Sequence, residues 1–450
     1  MKKTLTLLFI LALGISHAQH QNVSLLYHWE DSTLVGSSTY DNVYNEVWGF
    51  TNNGYEFAVI GSTFGTHIFD ITNISNVTEV ARIPGKAQGG IIIHRDYHDY
   101  KGYLFAVADE GASSLQVIDI SQLPASYSVV YDSDSLFKRA HNIFIDSSTG
   151  KMYANGVATA SAYVGFQCYD VSDPLNPQFV SSYHNAGFTH DTYAQNDTVF
   201  INAGNNGLYI LDYNDAQNPQ VLGTLKTYPY KGYNHSGWPT ANLDYYFMAD
   251  ENAGHKMKSV DVRDFSNMQV LTTFFSDVDS NYSMPHNQIW HEDYLFVSHY
   301  HDGLQIWDVS NPANPVRTGY YKTYPGMDHQ VYYKGAWGVY PFLPSGKILV
   351  SDMQYGLFVL DGTQALSRQE LAINEFELYP NPSAGNFNVV LPENWHQANY
   401  QVYSLDGRLI KQGILSAQAN EINVDAKNGI YLVEISNEKQ RLVQKLVLHN

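Results

Sequence analysis

Asp170-Val-Ser-Asp-Pro-Leu-Asn-Pro177 and Asp308-Val-Ser-Asn-Pro-Ala-Asn-Pro315 are two copies of one pattern, each following a short apolar stretch. The same apolar stretch ending in aspartate recurs at Asp70, Asp119, Asp212, Asp261 and Asp361, so there are seven units. The aspartates are 49, 51, 42, 49, 47 and 53 residues apart. A period of roughly 40–50 residues is that of a propeller blade. Asp, Asn, Ser and Pro after each stretch form a turn, because their side chains bond nearby backbone and proline pre-sets φ. These aspartates therefore read as structural.

Working outward from that turn, the sixth unit shows the order of a blade. His286 to Trp290 reads as a first strand, Tyr294 to Ser298 as a second, Leu304 to Trp307 as a third and Val316 to Tyr321 as a fourth. Four short antiparallel strands separated by turn residues make one blade. The seventh unit ends after its third strand at Asp361. An orphan strand, Asn22 to Trp29, opens the chain and resembles the fourth strands elsewhere. It is expected to complete the last blade and close the ring, which removes exposed strand edges. The prediction is an all-β chain: a seven-bladed β-propeller over 19–362, a polar linker at 363–374, and a small β-sandwich over 375–450.

Composition agrees. The chain has 450 residues, with 14% aromatic and only 15% charged, as suits pleated, aromatic-rich sheets. Lys2 and Lys3, the apolar run Leu5 to Ile15 and Ser16-His17-Ala18 read as a signal peptide over 1–18. No later stretch is long and apolar enough for a membrane helix. Loss of the leader makes the chain two units more negative than its full-length charge of −19. Acidity on that scale argues against nucleic acid, whose phosphates need cationic neutralisation. Its simplest role is to keep an exported protein soluble. A single cysteine, Cys168, rules out an intrachain disulfide and reads as a buried structural thiol.

The repeats resemble LVIVD repeats. The body, roughly 22–362, resembles the choice-of-anchor B family of bacterial surface proteins. Tyr44-Asn-Glu-Val-Trp-Gly49, His141-Asn-Ile-Phe-Ile145, Thr189-His-Asp191, His235-Ser-Gly-Trp238 and Gly335-Ala-Trp-Gly-Val-Tyr-Pro-Phe342 carry that likeness. It implies a fold and a surface location but no activity. The tail carries Leu378-Tyr-Pro-Asn-Pro-Ser-Ala-Gly385, Val402-Tyr-Ser-Leu-Asp-Gly-Arg408, Gly429-Ile-Tyr-Leu-Val-Glu-Ile435 and Lys445-Leu-Val-Leu-His-Asn450. This set resembles the C-terminal sorting domain of type IX secretion cargo in Bacteroidota. The resemblance implies the type IX machinery as a partner, export across the outer membrane and anchoring at the cell surface.

First strands line a propeller's channel, and their starts fall in register at Arg95-Asp96, His141-Asn142, His190-Asp191, His235-Ser236 and His286-Asn287. Trp48 and Trp337 take the matching places in the first and seventh blades. A second polar set follows 12–15 residues later at the turn between second and third strands: Asp109-Glu110, Asn155, Asn202, Asp250-Glu251, His299, His301-Asp302 and Asp352. Both sets are expected on one face. Imidazoles flanked by carboxylates suit a divalent transition metal. The metal candidates are His141, His190, His235 and His286. The ligand-binding candidates are Arg95, Asp96, Asn142, Asp191, Asn287, Asp109, Asp250, Asp352, Trp238 and Trp337. His299 and His301 read instead as a surface turn, and His329, in a long loop, as able to reach the same face. Histidine as a repeat-consensus residue bonding neighbouring blades is the plainer alternative. Tyr228, Tyr230, Tyr233, Tyr300 and Tyr324 in the face loops either stack on sugar rings or pack between blades. No nucleophile elbow, His-Glu-x-x-His or phosphate loop is present. The leading expectation is a non-catalytic surface propeller binding a glycan, protein or metal on its axial face. The alternative is a metal-dependent polysaccharide lyase or hydrolase using the histidines.

Overall fold

The computed structural model describes residues 20–276, 283–326, 333–367, 376–392, 395–405, 407–437 and 441–449. The leader expected at 1–18 and His329 lie outside them. The chain divides into two compact units, one running to Leu366 and one from Ser367.

Among the described residues the first unit holds seven antiparallel sheets in chain order, which together make a β-propeller. The fourth blade is typical: Asp191–Gln195, Thr198–Asn202, Leu208–Asp212 and Gln220–Leu225 pair in sequence. The first strands of the other blades are Tyr44–Asn52, Arg95–Tyr100, Asn142–Asp146, Asn234–Pro239, Gln288–His291 and Ala336–Tyr340. The ring closes as expected. Ser24–Trp29 pairs antiparallel with Gly356–Asp361 and supplies the seventh blade's outer strand. His20–Gln21 adds an unforeseen fifth strand to the sixth blade.

The turn chemistry is uniform. At all seven repeat positions the aspartate Oδ1 accepts the backbone N–H two residues on, at 2.8–3.1 Å, from Thr72 and Asp70 through to Thr363 and Asp361. Every pairing of third with fourth strand also carries a register shift, and such bulges increase local twist. Apolar faces of successive sheets meet in separate clusters. Phe105, Val107 and Val117 of the second blade, for example, pack on Ile143, Ile145 and Met152 of the third. Cys168 lies in the next such cluster, and burial pushes its thiol up to about 12, in line with a structural role.

The stretch read as linker starts later than expected. Thr363–Leu366 forms a helical turn with Ala365 buried in the sixth-to-seventh-blade core, and the Tyr294 hydroxyl donates to the Leu366 carbonyl. The second unit is a sandwich of a three-stranded and a four-stranded sheet around Phe387, Val389, Val402, Val433 and Leu446. Ala398–Ser404 and Leu409–Leu415 form a hairpin around the Asp-Gly turn residues of the Val402-to-Arg408 motif. Asp406 of its turn is outside the described residues.

Candidate functional site

Side chains alternate along a strand, so the first strands present the channel with residues in tiers. The third blade offers His141, Asn142 and Phe144 in descending order, and the second offers His94, Asp96 and His98. The lowest tier is aromatic. Trp48, His98, Phe144, Trp238, Phe342 and Tyr340 form a closed circuit of ring contacts with centroids 4.7–5.8 Å apart. Such edge-rich aromatic packing narrows the channel at that end.

The upper tier is an imidazole ring. His94, His141, His190, His235 and His286 line one cavity above them, with Glu251, Tyr40, Tyr300, Tyr333 and Trp337, and a second cavity beneath. Neighbouring rings are close: His94 to His141 is 4.7 Å, His141 to His190 4.2 Å, His190 to His235 3.7 Å and His235 to His286 4.4 Å between centroids. Trp337 completes the circle against His286 and His94. Two groups bring one ligand atom per residue within 4.8 Å of each other: His94, Asp109 and His141, and His190, His235 and Glu251.

Outer partners fix the rings. His94 Nδ1 is 2.5 Å from Glu110 Oε1, whose other oxygen accepts the His94 and Ile93 amides. His141 Nδ1 is 3.0 Å from Asp109 Oδ2, and His286 Nδ1 is 2.5 Å from the Trp337 carbonyl. These oxygens only accept, so each neutral ring carries its proton on Nδ1 and presents a bare Nε2. His141 Nε2 and His190 Nε2 are 2.8 Å apart. When His141 is neutral its lone pair lies there, so His190 donates and its own Nδ1 is bare. That atom is buried and has no hydrogen-bond partner. His235 Nδ1 is also buried without a bond of acceptable geometry, although the His286 main chain is nearby.

Burial, with repulsion from neighbouring rings, holds His190 and His235 well below the usual imidazole range, and burial lowers His286 to about 3. His141 moves the other way: burial would lower it, but the hydrogen bond and charge of Asp109 outweigh that. Burial raises Glu251 to about 7, and the Tyr300 hydroxyl donates to its Oε1. Glu251 Oε2 lies 3.6 Å from His235 Nε2.

The middle tier is acidic. Glu46, Asp96 and Asp191 face the inner cavity with Asn142 and Asn287. Burial raises Asp96 to about 7 and Asp191 to about 6, and burial plus repulsion from Asp96 raises Glu46 well above the carboxylate range.

The four predicted metal histidines are thus brought together with Asp96, Asp109, Asn142, Asp191, Asn287 and Trp337. Other predicted residues are turned elsewhere. Arg95 lines the cavity wall, but its guanidinium donates to the Ser62 and Ala87 carbonyls. Asp250 is fully buried between strands, paired with Lys258 at 2.7 Å and bonded by Tyr228 and Gly232. Asp352 accepts the Gln354 and Tyr355 amides within its own turn and the Thr323 hydroxyl from a distant loop. The carboxylates of both are engaged by side chains and backbone of the fold. Trp238 and Trp48 belong to the aromatic tier, so Trp48 does not match Trp337. His299 and His301 are buried rather than at the surface, His299 beside Asp302. Of the loop aromatics, Tyr233 stacks edge-on to His190, while Tyr228 is tied to Asp250.

Sequence reasoning missed His94 and Glu46. The 94-to-141 interval of 47 residues fits the histidine series, and that signal was legible. Glu46 was not, because a register shift between Tyr44 and Val47 sets its direction.

Residues 377–449 match the family described as "Secretion system C-terminal sorting domain" and residues 289–323 match the LVIVD repeat. The chain is a β-propeller protein with LVIVD-type repeats and a type IX sorting domain. It is a secreted protein, exported by that system to the cell surface or extracellular space. Among the described residues no helix is long and apolar enough to cross a membrane. No curated protein matches. Among solved structures the chain is similar to PorZ, an essential bacterial surface component of the type-IX secretion system of Porphyromonas gingivalis, at 11% identity and a TM-score of 0.48, over 94% of this chain and 61% of that one. The extracellular domain of BT4673 from B. thetaiotaomicron is similar at 12% identity and a TM-score of 0.48, over 91% of this chain and 57% of that one. The propeller domain of Cps50 (Swd1) from Myceliophteria thermophila is similar at 11% identity and a TM-score of 0.46, over 70% and 98%. The chain thus spans about three fifths of the first two.

Proposed function

We propose that this secreted propeller captures an extracellular ligand at the open end of its axial cavity, through a divalent transition metal held by the imidazole tier. The observation that carries this reading is the set of outer acceptors on the Nδ1 atoms of His94, His141 and His286. Carboxylates or carbonyls that orient imidazoles in this way are the usual outer support of a metal centre. Neutral rings provide lone pairs, and imidazole suits zinc, copper, iron and nickel. The bare, buried Nδ1 of His190 agrees, because an orphaned buried nitrogen is costly unless a proton donor or metal meets it.

The cavity mouth explains how a ligand would be held. Tyr40, Tyr300, Tyr333 and Trp337 wall the outer cavity, and aromatic faces over a metal suit a sugar or other oxygen-donor ligand of a surface glycan or protein. A second reading, a metal-dependent lyase or hydrolase acting on polysaccharide, is favoured by one feature. The Tyr300–Glu251 pair sets an acid and a base beside the metal position.

The test is elemental mass spectrometry of the purified full chain, beside a His141/His190/His235/His286 quadruple alanine variant. Near-stoichiometric metal in the wild type, lost in a folded variant, is expected. No transition metal in the wild type after equilibration with Zn²⁺ and Mn²⁺ overturns the reading. Product release from polysaccharide, abolished in folded His190→Ala, would select the enzyme; glycan-array binding without product selects the binding protein.

A further inference from the structure

We infer that the middle tier of the channel is a second cation site, built for a hard, oxygen-seeking divalent ion of the calcium class and held by Glu46, Asp96 and Asp191. The inference is independent of whether the imidazole tier is filled.

Three blades send these carboxylates into one cavity of about 90 Å³, room for several waters at roughly 10–15 Å³ each. Each is oriented from behind. Ile143 N–H holds Asp96 Oδ2 at 2.7 Å. Thr192 N–H and Asn142 Nδ2 hold Asp191 Oδ1 at 2.7 and 2.9 Å. Asn287 Nδ2 holds Glu46 Oε2 at 2.8 Å. The seventh blade makes space: a Cβ on Gly338 would lie 1.8 Å from Glu46 Oε1, so only glycine admits that carboxylate.

No lysine or arginine lining the cavity answers them, and His141, the imidazole that acts on Asp96 and Asp191 from the tier above, is tied to Asp109. Arg95 is the one Lys or Arg among the residues lining this cavity, and its donors are directed at the Ser62 and Ala87 carbonyls. Carboxylates that share a buried cavity repel one another and call for a partner charge or a proton.

A second, independent observation points to a cation. Gln288 lines the same cavity and is 3% exposed, yet its Oε1 has no hydrogen-bond partner. Its amide cannot be turned to cure this, because Nε2 already donates to the Ser236 carbonyl at 2.8 Å. Asn287 Oδ1 is in the same condition: its Nδ2 is committed to a carboxylate, and Oδ1 is buried and unpartnered. Amide oxygens and carboxylates without donors want one thing in common, a cation. Calcium accepts six to eight such oxygens, waters included, in flexible geometry. An all-oxygen set selects a hard ion, whereas the imidazoles above select a borderline one.

The experiment uses the full chain stripped with chelator and titrated with CaCl₂ by calorimetry, with elemental analysis after dialysis against Ca²⁺ and Zn²⁺ together. About one calcium per chain is expected. Asp96→Asn/Asp191→Asn should weaken calcium at least tenfold while zinc content is unchanged, and His190→Gln/His235→Gln should do the reverse. A folded wild type that takes up less than about a tenth of an equivalent at millimolar calcium overturns the proposal. So does calcium that survives in the folded double-Asn variant. If that variant does not fold, the wild-type titration still decides. Calcium without zinc would sink the imidazole reading alone, and zinc without calcium this one alone.

Discussion

The outer turns and the axial tiers of the propeller repeat with the same period, and they differ in what their side chains are bonded to. At the turns all seven repeat aspartates close onto a backbone N–H two residues away. Their hydrogen-bonding is directed into the fold. On the axis the polar groups are held from behind, and buried atoms of cavity-lining residues, such as His190 Nδ1, Asn287 Oδ1 and Gln288 Oε1, lack hydrogen-bond partners. Periodicity alone therefore does not separate scaffold from site. The fate of each lone pair does.

The comparison breaks most sharply at Asp250, a residue of the upper face whose environment is that of the scaffold. Its carboxylate and the Lys258 ammonium are both fully buried, 2.7 Å apart. Lys258→Met leaves that carboxylate buried and unpaired, which costs about 3–5 kcal/mol. Urea unfolding should show this loss, with metal content per folded chain unchanged. A neutral effect on stability would mean that Asp250 is not part of the scaffold.

Asp250 also shows where legibility ended. It sits beside Glu251, and alternation along the backbone sends one toward Lys258 and the other toward His235. The sequence marks the pair but not which member faces the axis. The seven repeats, the closing N-terminal strand and the sorting domain were all legible, because turn chemistry and strand alternation are local. The site was legible as a histidine series, and His94, 47 residues before His141, fits that series although Arg95 reads as the second blade's start. Glu46 and Trp48 were misplaced or missed because register shifts in the first strands of blades one, five and seven change which side chain faces the channel. Lys258 lay within an apolar strand and gave no signal at all.

Asp191 gives the next largest effect. Its carboxyl is raised from an ordinary 3.8 to about 6 by burial, so the folded chain binds its proton more tightly than the unfolded chain. The penalty is absent well below pH 4, grows as pH rises through 4 to 6, and is full above. In metal-free protein, Asp191→Asn should therefore compare more favourably with wild type at pH 8 than at pH 4.5, by about 2 kcal/mol. Removing the Asp191 charge also relieves Glu46 and Asp96, whose carboxyls it raises, and this works in the same direction. A gap that is equal at both pH values would mean that Asp191 is not held in a buried acidic tier.

The smallest effect belongs to the turns. Asp308 Oδ1 accepts Ser310 N–H at 2.9 Å, and Asp308→Ala leaves that exposed amide to water. The loss should be about 1 kcal/mol, the ordinary value of one such hydrogen bond, with calcium and transition-metal content both unchanged. The size matters less than the pattern. A repeat aspartate that costs stability and leaves the metals untouched, beside an axial aspartate whose removal changes the metals, would show that two sets with one period are separated by function. If Asp308→Ala instead lowered metal content without unfolding, the turns would be coupled to the axis through the blade, and the division between them would fail.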